Sequence, residues 1–405
     1  MVSVVPPSAS ALAFVESPVQ LLNVLEWAYA RPADPTGPGP AGSGPAAAAP
    51  LLGGIPRQGR DAGAPAPHPA SVPASASAPA ADPLRIVVLP PTDPMSRGQL
   101  RRMAALARDE GHDVRWQEAR GGRLAPLKAL AALAGDVRAA RTVVVGDPFS
   151  RYVQLLLTLV RAERLVVVDD GTATMEFVAQ TARGERLVRW HRVGAGGLPG
   201  RVRELAYAPV SATARRRFTP SGTRTVELFS SMPVTVHGGT TLRVNDFAWT
   251  RARFGPPRLT RGTDLVGTSL VETGVVDPAR YLDAVRALTA EHGATRYFAH
   301  RRESPEKLRA LSVATGLEIV RPDLPLELIA RRGPVGHTVV SFPSTVVHTL
   351  PYALSGTGVT VAVCDVDPAW LTGSASPRAR GFLAGVTDSA RDVRRLPAQT
   401  AGAAG

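Results

Sequence analysis

Short, continuous apolar runs alternate with amphipathic segments along most of this chain. Runs such as LRIVVLPP, RTVVVGDP and RLVVVDDG are rich in β-branched and aliphatic residues, and they predict strands that are buried on both faces. The segments between them carry apolar residues at helical spacing. Some of these segments open with Ser-Pro, which is typical of an N-cap followed by proline at the first helical position. The alternation predicts parallel sheets covered by helices.

Two such series follow one another along the sequence. The first predicts strands at residues 12–15, 84–91, 113–116, 141–148, 164–171, 186–193 and 225–234, with helices from residue 18 and over 98–110, 124–134 and 152–160. The second opens near Asp264 and predicts helices at 278–292, 304–316, 324–333 and 344–354, with strands at 295–300, 317–320, 337–342 and 360–366. Turn-rich segments lie at 194–200 and 256–262. The first of these, GAGGLPG, is not predicted to be a phosphate loop, because it contains Pro199 and no apolar helix is expected after it.

The two series predict two domains. A chain of 405 residues that is 44% hydrophobic can bury two ordinary cores. We expect an N-terminal domain over residues 1–255, a C-terminal domain over 256–372 and a tail over 373–405. Residues 31–81 are dominated by Pro, Ala, Gly and Ser, a composition that cannot bury enough apolar surface to order itself. This stretch is predicted to be a disordered insertion in the first domain.

Charge and cysteine content narrow the classes of function. The formal net charge is +13, and only two of the 47 basic residues are lysines, Lys128 and Lys307. Such a field favours an anionic partner, although aromatic residues are only 5% and no nucleic-acid-binding signature is present, so nucleic acid is not expected. The single cysteine, Cys364, excludes an intrachain disulfide and a Cys-based metal site, and it fits a reducing cytoplasm. The absence of a long apolar run predicts a protein that is soluble or only peripherally attached to the inner face of the membrane.

Candidate chemical groups follow the ends of the predicted strands. Ligands of open parallel sheets bind at the carboxyl ends of the strands, where loops and helix N-termini converge. Four strand ends carry such groups: Glu16 with Ser17, Asp169 and Asp170 with Gly171, His300 to Glu303, and Ser344 with Thr345.

The adjacent carboxylates of Asp169 and Asp170 are candidates for a general base. Two neighbouring acids disfavour each other's ionised forms, which raises a pKa towards the range needed to accept a proton from a hydroxyl group near neutral pH. Gly171 permits a sharp turn that would bring the backbone close to a substrate. The alternative is a plain strand-to-helix turn in which Asp170 caps the next helix.

The second series offers groups that bind phosphate. His300, Arg301 and Arg302 could donate hydrogen bonds to a phosphate leaving group, and the arginines could do so in bidentate fashion. Ser344 and Thr345 open a helix whose free N–H groups and dipole attract an anion. The alternatives are a solvated basic turn for the first group and ordinary N-capping for the second. Together with the carboxylates, these groups indicate a cleft that binds a nucleotide-sugar.

Four segments resemble motifs of the bacterial sialyltransferase and polysialyltransferase group, especially the alpha-2,8-polysialyltransferase-like proteins of capsule synthesis. In order along the chain, they are FVESPVQLLNVLEW, DDGTATMEF, YFAHRRESPEKL and FPSTVVHTL. The resemblance implies a GT-B-like fold, with two Rossmann-like α/β domains facing a central cleft. The first domain would hold the acceptor and the second the nucleotide-sugar. It also implies CMP-sialic acid as the donor, an inverting transfer and no essential metal or other cofactor.

Taken with the strand-end reading, the resemblance gives each candidate residue an expected role. Asp169 or Asp170 would act as general base next to Gly171. His300 would contact the donor phosphate and assist the departure of cytidine monophosphate, helped by Arg301, Arg302, Ser344 and Thr345. Glu327 would contact the nucleotide ribose, and Glu16 and Ser17 would lie on the acceptor side. The family often has proline after the histidine, whereas this chain has Arg301.

The implied reaction is a single displacement in which the acceptor hydroxyl attacks the anomeric carbon, in a cleft that closes around its substrates. The expected partners are a nucleotide-sugar donor and an anionic glycan or a lipid-linked acceptor. Two other functions fit the same residues. One is a glycosyltransferase with another donor, such as a UDP-sugar, and the other is a non-catalytic protein that binds an anionic glycan.

Overall fold

The computed structural model describes residues 11–31, 83–120, 122, 125–189 and 197–399, without the side chains of 197–204 and 206. All but the first residue of the insertion predicted at 31–81 lies outside these ranges. So do residues 190–196, which include part of the predicted strand at 186–193 and of the GAGGLPG segment.

The first sheet has seven parallel strands in the order β3-β2-β1-β4-β5-β6-β7. The order reverses between β1 and β4, and this reversal is the place where doubly wound folds bind ligands. The strands are β1 Ala11–Val15, β2 Arg85–Val88, β3 Asp113–Trp116, β4 Thr142–Val145, β5 Arg164–Val168, β6 Thr225–Ser230 and β7 Thr241–Val244.

Helices cover both faces of this sheet. They are α1 Pro18–Ala30, α2 Pro94–Asp109, α3 Ala125–Ala139, α4 Arg151–Leu157, α5 Thr172–Ala182, α6 Gly197–Arg217 and α7 Ala248–Phe254. Ser17 caps α1 with Pro18 behind it, as predicted. Two predictions were wrong. The described residues of the strand at 186–193 are not in a strand, and the turn expected at 194–200 contains the start of α6.

The second sheet repeats the topology of the first. Its six parallel strands have the order β10-β9-β8-β11-β12-β13, so its reversal falls between β8 and β11. The strands are β8 Leu259–Val266, β9 Ala294–Phe298, β10 Glu318–Val320, β11 Val335–Ser341, β12 Thr360–Cys364 and β13 Arg394–Leu396. The helices are α8 Pro278–His292, α9 Pro305–Thr315, α10 Leu326–Arg332, α11 Val346–Ala353 and α12 Pro377–Ser389, with a 3₁₀ turn at Pro368–Trp370.

Two sequence boundaries differ in this half. The segment 256–262, predicted to be turn-rich, contains the first residues of β8. The stretch from residue 373, predicted to be a tail, contains α12 and also β13, which pairs with β12 as the edge strand of the second sheet. The sequence gives no signal for β13, because RRL contains a single apolar residue. That residue, Leu396, is the one buried residue of the strand.

A hydrophobic core connects the two halves. Leu324, Leu328 and Ala353 of the second half are buried in the same cluster as Leu25 of α1 and Trp249 of α7. Polar contacts add to this junction, including the Gln99 side-chain amide donating to the Pro322 carbonyl at 2.7 Å. The predicted fold class, two Rossmann-like α/β domains facing a central cleft, is confirmed. No helix in the described ranges is long and apolar enough to cross a membrane.

Candidate active site

A cavity of about 400 Å³ lies between the carboxyl ends of the two sheets. The first sheet contributes the turns after β1 and β5, and the second contributes the turns after β8, β9 and β11. Ten of the eleven residues predicted for the site line the cavity: Ser17, Asp169, Asp170, Gly171, His300, Arg301, Arg302, Glu327, Ser344 and Thr345. The parallel topology explains this convergence, because it brings the carboxyl ends of all strands in a sheet to the same edge.

The carboxylate of Asp169 is buried and surrounded by donors. One oxygen accepts the Gly171 N–H at 3.0 Å and the Thr174 hydroxyl at 2.6 Å, and the other accepts the Ser231 hydroxyl at 3.2 Å. The Asn23 side-chain amide donates to its carbonyl oxygen at 2.8 Å. Burial raises the pKa of this carboxyl, and the hydrogen bonds oppose the rise. These bonds hold the turn between β5 and α5.

Asp170 is partly exposed to the cavity and has a different environment. Burial and then the negative charge of Asp147 raise the pKa of the Asp170 carboxyl to about 7, against the opposing charge of Arg189. One Arg189 nitrogen lies 3.1 Å from Asp170 and 3.3 Å from Asp147. A carboxyl with this pKa exchanges protons near neutral pH.

Two interpretations of this turn need correction. The negative charge that raises the pKa of Asp170 is that of Asp147, in the turn after β4, and not that of Asp169, the adjacent residue in sequence. The alternative in which Asp170 caps the next helix is also wrong, because Gly171 is the N-cap of α5.

The two lobes approach each other closely at Gly171 and Thr345. Gly171 has φ +63° and ψ −123°, a conformation that L side chains rarely adopt. A Cβ atom added there would lie 3.2 Å from Cγ2 of Thr345. The absence of a side chain at Gly171 therefore permits both the turn and the close approach of the opposite lobe.

His300 is half-buried at the end of β9. Burial, followed by the positive charges of Arg301 and Arg302, lowers the pKa of the imidazole to about 4, so the ring is neutral at pH 7. The backbone N–H of Arg302 donates to Nδ1 at 3.2 Å. Since a backbone N–H can only donate, Nδ1 is the acceptor and Nε2 carries the hydrogen. His300 is thus a hydrogen-bond donor at neutral pH and not a charged acid.

Arginines form the rim of the second lobe. Arg301 and Arg302 are exposed at the cavity, as is Arg321 after β10. Arg301 acts across the cleft. Hydrogen bonds from Ser96 are the main cause of the lowered pKa of Asp93 in the first lobe, and the charge of Arg301 adds to that lowering. The same charge opposes the rise in the pKa of Asp170. Arg321 was missed from the sequence because it follows a three-residue strand with no distinctive motif.

Ser344 and Thr345 precede α11, as predicted. The Thr345 side chain makes no capping hydrogen bond, and the Ser344 hydroxyl lies 3.2 Å from that of Ser341. Ordinary side-chain capping is therefore not what Thr345 does here. Glu327 of α10 also reaches the cavity, where burial raises the pKa of its carboxyl and the Thr349 hydroxyl donates to it at 2.6 Å.

Glu16 is the predicted site residue that does not line the cavity. Its carboxylate accepts from Arg120 at 2.5 Å and from the Ser150 hydroxyl at 2.5 Å, and burial raises the pKa of this carboxyl. Its position next to the cavity is consistent with support of the turn after β1. Ser17 does line the cavity, although its hydroxyl is also the N-cap of α1.

Two further residues near Asp170 were missed. Asp147 lies two residues after β4, as Asp170 does after β5, so the strand-end pattern in RTVVVGDP could have identified it. Arg189 carries no such signal, since it lies in an irregular segment and reaches Asp170 only through the fold. Among the described residues, no group of three or more His, Cys, Asp or Glu side chains is placed to hold a metal ion. The absence of a metal requirement stays a prediction.

No protein-family model matches the sequence, and no curated protein matches it. Similar solved structures include an alpha/beta-galactoside alpha-2,3-sialyltransferase from Photobacterium phosphoreum, with 9% identity, a TM-score of 0.47 and coverage of 95% of this chain and 98% of that one. A putative UDP-N-acetylglucosamine 2-epimerase from Listeria monocytogenes has 11% identity, a TM-score of 0.42 and coverage of 88% and 79%. A sialyltransferase from Photobacterium damsela has 8% identity, a TM-score of 0.40 and coverage of 95% and 81%.

Proposed function

We propose that this protein is an inverting glycosyltransferase that transfers sialic acid from CMP-sialic acid to a glycan acceptor. One observation carries the proposal: a carboxyl with a pKa of about 7, Asp170, shares a cavity with His300, Arg301, Ser344 and Thr345 from the opposite sheet. One lobe can accept a proton and the other can bind an anion. Such a division suits attack by a hydroxyl group and departure of a nucleotide phosphate.

Asp170 is the general base in this proposal, and Asp169 supports the turn that presents it. Asp169 has its carboxylate oxygens occupied by Gly171, Thr174 and Ser231, which makes it a poor proton acceptor. Asp170 has fewer donors and a pKa in the right range. It would accept the proton of the acceptor hydroxyl while the oxygen of that hydroxyl attacks the anomeric carbon.

The second lobe would bind the departing phosphate. His300 would donate from Nε2, the arginines would provide positive charge, and the N-terminus of α11 behind Ser344 and Thr345 would provide N–H groups. The His300 pKa of about 4 supports stabilisation by hydrogen bonding more than full proton transfer from an imidazolium. The same proposal includes binding of the nucleotide ribose by Glu327 and closure of the lobes around the substrates. It also includes a charged glycan or a lipid-linked molecule as the acceptor, and a cytoplasmic location.

The test measures nucleotide release by the purified protein supplied with CMP-sialic acid and, separately, with UDP-sugars. We expect release of CMP that increases when a glycan acceptor is added, and no release of UDP. Release of UDP alone would favour a transferase with a different donor. Glycan binding that survives Asp170→Asn, with no release of any nucleotide, would favour a non-catalytic binding protein.

Two substitutions separate the roles of the neighbouring aspartates. Asp170→Asn is expected to lower kcat by about 100-fold to 10,000-fold while CMP affinity and thermal stability stay near those of the native protein. Asp169→Asn is expected to lower stability as well as kcat, because the amide must replace an acceptor that holds three donors. Equal activity of Asp170→Asn and the native protein would show that Asp170 is not the base.

A further inference from the structure

A buried polar network lies beneath the loop that carries His300. Its centre is Glu303, whose side chain is 0% exposed. One carboxylate oxygen, Oε2, accepts the backbone N–H of His300 at 2.6 Å. The other, Oε1, accepts the Tyr297 hydroxyl at 2.6 Å and lies 2.7 Å from Nζ of Lys307. Strand β9, the loop and helix α9 therefore meet at one carboxylate.

We propose that Glu303 is a positioning residue that fixes the backbone and the imidazole of His300 for binding an anion in the cavity. The inference rests on the proposed function for the identity of that anion, a nucleotide phosphate. The fixing of His300 itself follows from the contacts below.

His300 is held by its neighbours at three separate atoms. Its N–H donates to Glu303 Oε2, its carbonyl oxygen accepts the Glu303 N–H at 3.0 Å, and its Nδ1 accepts the Arg302 N–H at 3.2 Å. The first two bonds fix the loop backbone, and the third fixes the tautomer with the hydrogen on Nε2. Because Arg302 lies between His300 and Glu303 in sequence, the two bonds to Glu303 also set the position of the Arg302 N–H.

Lys307 connects this loop with a second wall of the cavity. Its Nζ donates to the Thr268 carbonyl oxygen at 2.9 Å, lies 3.5 Å from Glu272 and is 4.1 Å from the centre of the Tyr281 ring. Thr268 lines the cavity after β8. The half-buried Lys307 ammonium therefore has partners in several directions. A compact ammonium fits such an arrangement better than a planar guanidinium, although most basic residues of this chain are arginines.

The end of β8 leaves room for the carboxylate. A Cβ added at Gly267 would lie 2.2 Å from Glu303 Oε2 and 2.7 Å from the Tyr297 hydroxyl oxygen. The backbone of β8 therefore closes one side of the carboxylate and restricts its movement. Burial raises the pKa of Glu303, and Lys307 opposes that rise.

A glutamine cannot replace this carboxylate without loss. The His300 N–H and the Lys307 ammonium are donors only, and they bind different oxygens of Glu303. An amide has one acceptor oxygen, so its NH2 group must face either the backbone N–H or the ammonium. The amide oxygen should face the side with two donors, the Lys307 ammonium and the Tyr297 hydroxyl, which leaves the NH2 group against the His300 N–H. Glu303→Gln thus breaks the His300 anchor at almost constant volume.

The test measures CMP affinity by calorimetry and the His300 tautomer by two-bond 1H–15N correlation of histidine-labelled protein. The His300 signals are assigned by their loss in His300→Asn. In the native protein we expect a single tautomer with the hydrogen on Nε2. In Glu303→Gln we expect averaging of the two tautomers and about tenfold weaker CMP binding.

Glu272→Gln is the matched control. Glu272 also contacts Lys307, but it accepts the Ser304 N–H at 3.2 Å and not an N–H of His300. This variant is expected to keep the native tautomer and to bind CMP within about twofold of the native protein. Native behaviour of Glu303→Gln in both measurements, or equal losses in both variants, would overturn the positioning role.

Two outcomes are separated by this design. If the native protein binds no CMP but Glu303→Gln averages the tautomer, the proposed donor is wrong and the positioning role stands. If Glu303→Gln does not fold, Tyr297→Phe decides, because it removes one donor and keeps the carboxylate. A folded Tyr297→Phe variant with about threefold weaker CMP binding supports the role, and unchanged binding and tautomer overturn it.

Discussion

The pKa of Asp170 is set first by burial and then by residues from several elements. Asp147 follows β4, Arg189 comes from the irregular segment after α5, Gln20 comes from α1, and Arg301 comes from the opposite lobe. Asp147 opposes ionisation of the Asp170 carboxyl, whereas Arg189, Gln20 and Arg301 favour it. The proton affinity of the proposed base is therefore a property of the fold around it.

Removing the Asp147 charge is expected to shift the pH dependence of the reaction. A base acts when it is deprotonated, so kcat/KM should rise with pH through the Asp170 pKa of about 7. In Asp147→Asn, the lost repulsion lowers that pKa, and the rise should move to lower pH by about 1 unit.

Arg189→Gln is expected to shift the pH dependence of kcat/KM in the opposite direction. It removes a positive charge that stabilises the Asp170 carboxylate, so the rise should move to higher pH. The measurement is kcat/KM between about pH 5 and 9 with both variants and the native protein. Shifts of both variants in the same direction would contradict the electrostatic account.

At the scale of single residues, sequence patterns identify candidate catalytic side chains but not which role each side chain has. The strand-end rule found Asp169, Asp170, His300 and the Ser344–Thr345 pair because each lies in the turn after an apolar strand. It could not predict that Asp169 is enclosed by Thr174 and Ser231, since Ser231 is more than 60 residues away and approaches through the pairing of β5 with β6. Sheet order, which is not local, decides such contacts.

At the scale of helices and strands, local sequence signals predict where an element begins if the pattern is strong. The Ser17–Pro18 and Ser304–Pro305 caps gave helix starts that the structure confirms. Helix α6 was missed because its sequence includes Gly200 and Pro209, residues that disfavour helices in isolation. Tertiary packing outweighs that preference here, for example through the burial of Ala214 in the core against the first sheet.

The turn before α5 depends on glycine for two separate reasons, and a pair of substitutions separates them. Gly171→Ala places a side chain in a strained conformation and brings its Cβ to 3.2 Å from Thr345. We expect a loss of about 2–3 kcal/mol in the free energy of unfolding and weaker CMP binding, since Thr345 must move.

Gly316→Ala is the control for strain alone. Gly316 has φ +72° and ψ 6° at the end of α9, and a Cβ added there meets nothing within 4 Å. We expect a loss of about 1 kcal/mol and unchanged CMP affinity. Urea unfolding and calorimetry measure both quantities. Unchanged CMP affinity in Gly171→Ala would show that the contact with Thr345 does not shape the site.

At the scale of the whole molecule, the two sheets are joined at the base of the cleft. Leu328 is fully buried among residues of α1 and α7, and the Arg251 side chain donates to the Tyr352 carbonyl oxygen at 3.4 Å. This junction restricts the relative movement of the lobes to motions that preserve a shared core. The sequence predicted two domains, but it could not predict this junction, because an apolar residue on a helix does not specify which lobe it contacts.

The connection between α1 and β2 provides the last prediction. Strands β1 and β2 are adjacent and parallel, with Leu12 paired to Arg85, and α1 is the helix between them. Connections of about two to six residues are usual from such a helix to the next strand. We expect that replacing residues 32–82 by about six Gly and Ser residues changes the free energy of unfolding by less than about 1 kcal/mol and leaves CMP affinity within about twofold. Urea unfolding and calorimetry would measure both. Folding that persists together with a lost CMP affinity would show that residues 32–82 contribute to the site, and a large loss of stability would show that they contribute to the fold.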